Sequence, residues 1–153
     1  MPGDPIPRDR GQAGENRAQI HASCVAYEGQ ALLITGPSGA GKSALALDLI
    51  SRGARLVSDD QTVLTREAGG LVAQAPETIA GRIEARGVGL LRAPVAGPSP
   101  VAALVDLSQD EPERLPPHRH RDILGLSLPL LLRSDSTCFP AALILYLTHG
   151  RYA

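Results

Sequence analysis

Gly36-Pro37-Ser38-Gly39-Ala40-Gly41-Lys42-Ser43 is the stretch of this sequence whose residue types and spacing most plainly carry chemistry. It fits G-x-x-x-x-G-K-S/T, the pattern of a phosphate-cradling loop. Glycines let the backbone turn tightly and aim successive N–H groups at phosphate oxygens. The first turn of the following helix adds its own N–H groups and dipole. Lys42 is placed to reach the β- and γ-phosphates, and the Ser43 hydroxyl to ligate Mg²⁺. Fourteen of the fifteen basic residues are Arg, and Lys42 is the sole Lys. A compact ammonium is thus kept at the one position where a planar guanidinium is a poor substitute. The motif predicts binding of ATP or GTP.

Phosphoryl transfer also needs carboxylates near the metal and the nucleophile. Asp59-Asp60 end the apolar run that follows the P-loop helix. If that strand lies beside the P-loop strand, both carboxylates emerge at the phosphate edge of the sheet. Alternation aims one at the phosphate and leaves the other in support; the alternative is a solvated Asp-Asp turn. In Gly81-Arg82-Ile83-Glu84-Ala85-Arg86-Gly87-Val88-Gly89, Glu84 and Arg86 lie two apart, on one face of an extended chain. One carboxylate for metal and one guanidinium for phosphate would complete a transfer site. The same spacing also suits a surface ion pair. His21 has no such pattern around it.

The elements that must hold these groups can be read in outline. Residues 1–18 are rich in Pro, Gly and charge and are expected to be a disordered lead-in, with one domain over 19–153. Ile20–Tyr27 and Ala31–Thr35 read as strands joined at Glu28-Gly29-Gln30, leading into the P-loop. Lys42–Arg52 reads as a helix stopped at Gly53, and Arg55–Ser58 as a strand. Thr62–Thr65 and Leu71–Ala75 form a second hairpin. Val101–Leu107 is a strand, Gln109–Asp122 a polar loop with His118–Arg121 a solvated basic stretch, and Ile123–Leu132 a broken strand. Thr137–His149 is a closing helix with Pro140 in its first turn. The whole is mixed α/β, with a mixed sheet containing hairpins.

Composition removes several function classes. A formal charge of −1, no Trp, three Tyr and one Phe give no basic field and few stacking platforms, so no nucleic-acid partner is expected. The apolar runs are too short to span a bilayer, and the start has no signal-peptide core; a cytoplasmic protein without a membrane partner is expected. Cys24 and Cys138 do not form a disulfide framework. They have no metal-ligand spacing with His21, His118, His120 or His149.

These pieces in this order resemble the catalytic domain of bacterial HPr kinase/phosphorylase, whose fold is a P-loop kinase domain related to phosphoenolpyruvate carboxykinase. The likeness lies in Ile20-His21, Leu33–Leu47, Arg52-Gly53-Ala54-Arg55-Leu56-Val57-Ser58-Asp59-Asp60 and Ile83–Leu91. It implies Mg-ATP-dependent phosphorylation of a serine on HPr or an HPr-like phosphocarrier, regulating a phosphotransferase system, and a homo-oligomer that in the family is often a hexamer. It implies that Asp59 is the base, with Asp60 supporting it, and that His21 lies by the transferring phosphate. Ser43 and Glu84 would hold Mg²⁺, Lys42 would bind phosphate, and Arg86 would belong to the catalytic segment. The chain reads as a short form without the family's N-terminal domain. Its C-terminal Gly-Arg-Asn context has no counterpart; Arg133-Ser134-Asp135 stands nearby. Two further readings are an ATP-binding regulatory protein without transfer and a kinase of a small metabolite.

Overall fold

The computed structural model describes residues 16–153. Most of the expected lead-in therefore lies outside the described residues, but its last part is structured: β1 (Arg17–Ile20) is a strand. It pairs antiparallel with β5 (Thr62–Glu67), Arg17 opposite Thr65 and Ile20 opposite Thr62. The strand expected over Ile20–Tyr27 is in fact broken at His21, where the chain leaves β1 for β2 (Ala22–Tyr27). β2 turns back through Glu28-Gly29 into β3 (Gln30–Thr35). Both turn residues have positive φ, 50° and 82°, the signature of a two-residue hairpin whose twist matches its strands.

The central sheet also contains β4 (Arg55–Ser58), β9 (Ser99–Asp110), β10 (Arg119–Ile123) and β11 (Leu126–Arg133). β9 runs parallel to β3 and to β11, while β2 is antiparallel to both β3 and β4. β4, β3, β9 and β11 therefore point the same way, and their C-terminal ends share one edge. β4 is not the immediate neighbour of β3; β2 lies between them. Direction is what carries Asp59 to the P-loop edge.

Strand alternation divides the core in two. Cys24, Leu33 and Leu104 face a second sheet layer made by β1, β5 and β6 (Gly70–Gln74). Val25, Leu32, Ile34, Ala103 and Val105 face α1 (Lys42–Ser51) and α2 (Phe139–His149). A sheet covered on both faces needs apolar residues at consecutive positions, hence the unbroken Ala31–Ile34 and Ala102–Val105 runs. β9 joins the layers, its start pairing with β6 and its later part with β3 and β11. The β5–β6 hairpin, the helix ending before Gly53 and Pro140 in the first turn of α2 match the sequence reading. A two-stranded hairpin of β7 (Arg82–Ala85) and β8 (Gly89–Arg92) packs by Ile83 against the α1 side.

Two further expectations fail. β9 continues to Asp110, and His118–Arg121 is not a solvated basic loop, because Arg119–Ile123 is strand β10, paired antiparallel with β11. Its alternation is hidden because its inward groups are cations with carboxylate partners. Arg119 Nη2 lies 2.8 Å from Glu111 Oε2, and Arg121 Nη2 lies 2.7 Å from the buried Asp106 Oδ2. The break in the expected Ile123–Leu132 strand is the Leu124-Gly125 turn, both residues at positive φ.

Burial alone would raise the Asp106 carboxyl, but the bonds from Ser108 and the Arg121 guanidinium outweigh it and hold it below the usual range. A carboxyl depressed in this way stabilises the fold above its unfolded pKa of about 3.9, and the contribution is lost as pH falls through its lower folded value. Arg121→Ala leaves Asp106 buried with only its Ser108 donors. It is expected to cost on the order of 3 kcal/mol near neutral pH. Urea melts at neutral pH and at a series of acid pH values check this, since the gap to the parent should narrow as pH falls and Asp106 takes up a proton, after which it no longer needs the guanidinium.

Candidate active site

The loop between β3 and α1 turns through three glycines with positive φ: Gly36, Gly39 and Gly41 at 146°, 85° and 100°. A Cβ on Gly36 would lie 3.1 Å from Ala40 Cβ and 3.3 Å from Leu107 Cβ, so only glycine fits the packed root of the loop. Lys42, in the first turn of α1, is 6% exposed. Its ammonium donates to the carbonyls of Gly36 at 2.8 Å and Pro37 at 3.0 Å. Those bonds use two of its three donors and hold the charge at the loop, leaving a donor for an anionic oxygen. Pro37, Ser38 and Gly39 are exposed on the rim, and Ala40 closes the turn by donating its N–H to Pro37 O at 3.0 Å.

Asp59, just past β4, lies at the centre of the polar contacts. Its Oδ1 accepts from Ser43 Oγ at 2.6 Å and from Ser23 Oγ at 2.8 Å, and its Oδ2 from the Glu84 N–H at 3.2 Å. One buried carboxylate thus ties the P-loop helix, β2 and the β7–β8 hairpin together. Asp60 turns away in the left-handed region at φ 72°, its N–H held by Ser23 Oγ at 3.1 Å. Its Oδ1 is 2.6 Å from His21 Nε2, on an open part of the surface. The two carboxylates diverge, though not by strand alternation: both lie past the end of β4, and the backbone at Asp60 is left-handed. Asp59 faces Ser43 from behind the P-loop helix, and Asp60 reaches the open cleft side beside His21, which is positioned by the β1-to-β2 break.

A cleft of about 570 Å³ opens over the loop, lined by Lys42, Ser43, Asp60, Glu84, Arg86 and Val88 among others. Glu84 comes from β7 and Arg86 from the turn after it, so both face the cleft although only Glu84 is in a strand. The candidate polar side chains are therefore brought to one place: Ser38, Lys42, Ser43, Asp60, Glu84 and Arg86 on the cleft wall, Asp59 behind Ser43, and His21 against Asp60. Among the described residues no cluster of three or more His, Cys, Asp or Glu is poised around a metal position. The hard oxygens of Ser43 and Glu84 suit Mg²⁺, which takes few protein ligands and fills its shell with phosphate and water.

Two contributors escaped the sequence reading, and a third, Arg133, was named there without a partner. Ser23 is fully buried between Asp59 and the Asp60 amide; a hydroxyl inside the apolar Ala22–Tyr27 run was its signal. Asp106 pairs in register with Thr35, the residue before the P-loop, and gave no local signal. Arg133 reaches the P-loop from β11 by donating to Ala40 O.

A parallel-edged α/β sheet, a glycine-rich loop opening a helix, and a carboxylate bonded to that helix's first hydroxyl define a P-loop kinase type of fold. Comparison with known proteins narrows this. The family model described as HPr Serine kinase C-terminal domain matches residues 13–96, more than half of the chain, and the chain belongs to that family. The HPr kinase/phosphorylase of Clostridium botulinum (strain Eklund 17B / Type B) is 41% identical over 73 residues, which are 48% of this chain and 24% of that protein. That of Clostridium perfringens (strain SM101 / Type A) is 44% identical over 73 residues, again 48% and 24%. The matches thus span about a quarter of the length of these relatives. The solved Hpr(Ser) kinase/phosphatase from Coxiella burnetii superposes with a TM-score of 0.72 at 28% identity, covering 87% of this chain and 95% of that one. Among the described residues no helix is long and apolar enough to cross a membrane.

Proposed function

We propose that this chain transfers the γ-phosphoryl group of ATP to a serine hydroxyl of HPr or an HPr-like phosphocarrier. The observation that carries the reading is Asp59 Oδ1, 2.6 Å from the Ser43 hydroxyl at the head of the P-loop helix. A carboxylate that already accepts two serine hydroxyls is placed to accept a third, from the acceptor, beside the phosphate seat. In the step, the acceptor Oγ–H bond breaks with its proton passing to Asp59, and Oγ bonds to the γ-phosphorus. The bond from that phosphorus to the bridging oxygen breaks, and ADP leaves. Lys42 and the loop N–H groups stabilise charge on the transferring group, and Arg86 faces it from the hairpin. Ser43 and Glu84 would hold Mg²⁺, which supplies charge neutralisation at the phosphates. His21 orients Asp60 on the acceptor side.

A second reading, ATP binding that regulates without transfer, is favoured by one observation: Asp59 is engaged by three protein donors. Intact-mass analysis of an HPr-type carrier incubated with this protein, ATP and Mg²⁺ separates the two. One phosphoryl group added on a serine is the expected result. No addition, with ATP binding measured in parallel, selects the regulatory reading or another acceptor.

A further inference from the structure

At the end of β11 the pairing with β9 shifts register between Leu132 and Arg133, Leu132 lying opposite Asp106 and Arg133 opposite Asp110. Such an irregularity re-aims a side chain out of the ladder. The Arg133 guanidinium, half-buried, runs from β11 to the phosphate loop. It donates through Nη2 to Ala40 O and through Nε to Leu107 O at 3.3 Å. Asp110, 3.8 Å away and largely in solvent, contributes little as an ion-pair partner.

Ala40 O belongs to the peptide joining Ala40 to Gly41, and in a trans peptide the N–H points opposite to the C=O. Holding Ala40 O outward toward Arg133 therefore holds the Gly41 N–H on the loop's inner side, where a phosphate seat needs donors. Gly41, at φ 100°, is the residue before Lys42. Lacking a Cβ, it supports either orientation of that plane at little cost. The freedom that lets the loop turn leaves this N–H without a fixed direction unless something holds the carbonyl.

We infer that Arg133 is a positioning residue that latches the Ala40–Gly41 peptide with its N–H toward the phosphate, coupling the C-terminal hairpin to the nucleotide loop. This rests on the phosphate-binding reading of the loop, and the test separates the two. The Gly41 amide resonance is recorded for parent, Arg133→Ala and Arg133→Lys without nucleotide, and Mg-ATP affinity and melting temperature are measured for each. Arg133→Ala should shift or broaden the Gly41 resonance and weaken ATP binding about tenfold, with the melting temperature nearly unchanged. Arg133→Lys should fall between, since one ammonium cannot serve two carbonyls with the fixed fork of a guanidinium. Methylguanidinium added to Arg133→Ala should recover part of the affinity, which a general loss of structure would not allow. A Gly41 resonance unmoved in Arg133→Ala overturns the latch, as does unchanged ATP affinity. A parent protein that binds no ATP, with Gly41 still moved by the substitution, overturns the phosphate reading and leaves the latch standing.

Discussion

Asp59→Asn is expected to lower phosphoryl transfer by about 10³–10⁴-fold while the protein stays folded. Asp59 accepts three hydrogen bonds, from Ser23, Ser43 and the Glu84 amide. An Asn carries one oxygen and one NH₂, so with the oxygen kept toward the Glu84 N–H the NH₂ stands where Oδ1 was, and both serine hydroxyls now meet a donor. The hydroxyls can rotate: with the Asn oxygen toward the Glu84 N–H, its NH₂ can donate to Ser23 or Ser43. The network re-forms at a cost of about 1 kcal/mol, small against the stability of a domain. What cannot re-form is a group that takes a proton from the acceptor hydroxyl. Asp60→Asn is the comparison, because its carboxylate, exposed on the cleft wall, is bonded among the described residues to His21 alone; its loss should stay under about tenfold. Single-turnover transfer rates and urea melts on both variants decide the assignment. If Asp60→Asn collapses the rate and Asp59→Asn does not, the base is Asp60, oriented by His21, and Asp59 is a structural tie.

That two neighbouring carboxylates can be told apart at all shows where sequence reading reaches and where it stops. The P-loop, Asp59-Asp60 and Glu84-x-Arg86 were legible because each is a local pattern whose chemistry depends on near neighbours along the chain. The convergence of the P-loop with Asp59-Asp60 was legible too, through strand direction, because a segment that starts a helix and one that ends a parallel strand come to the same sheet edge. Glu84 and Arg86 arrive instead from the separate β7–β8 hairpin, which strand direction did not foretell. The expectation placed β4 directly beside β3, whereas β2 separates them; the carboxylates reach the P-loop edge because β4 and β3 run the same way.

What stayed hidden depended on partners far away in sequence. The break at His21 exists because Ile20 pairs with β5 and Ala22 with β3, which no local signal in Ile20–Tyr27 reveals. Strand β10 was read as a loop because apolar alternation is the usual mark of a strand. Here Glu111 and Asp106 take the place of apolar neighbours for Arg119 and Arg121. Arg133 could be singled out in the sequence only by its place near the missing family motif, because its partner, Ala40, is 93 residues away.

Replacing Lys42 by Met, which keeps the length of the buried stem and removes the charge, is expected to lower transfer by at least about 10³-fold. The ammonium is bonded to Gly36 O and Pro37 O, so its site is already paid for in the fold and needs no reorganisation to meet an incoming phosphate. Met loses both bonds but leaves two carbonyls near the loop's exposed rim, where water can satisfy them; stability should fall by no more than about 1–2 kcal/mol. Arg is not expected to rescue it. A planar fork cannot occupy a cavity closed around a single Nζ by two carbonyls from adjacent residues. The composition of the chain allows a second, independent check. Lys42 is the sole lysine, so the α-amine is the only other aliphatic amine an acylating reagent can reach. Mg-ATP should slow modification of Lys42 and leave the α-amine untouched, a difference that peptide mass analysis reads directly. Equal labelling of Lys42 with and without nucleotide, together with near-normal transfer by Lys42→Met, would detach the lysine from the phosphates and with it the central element of the kinase mechanism.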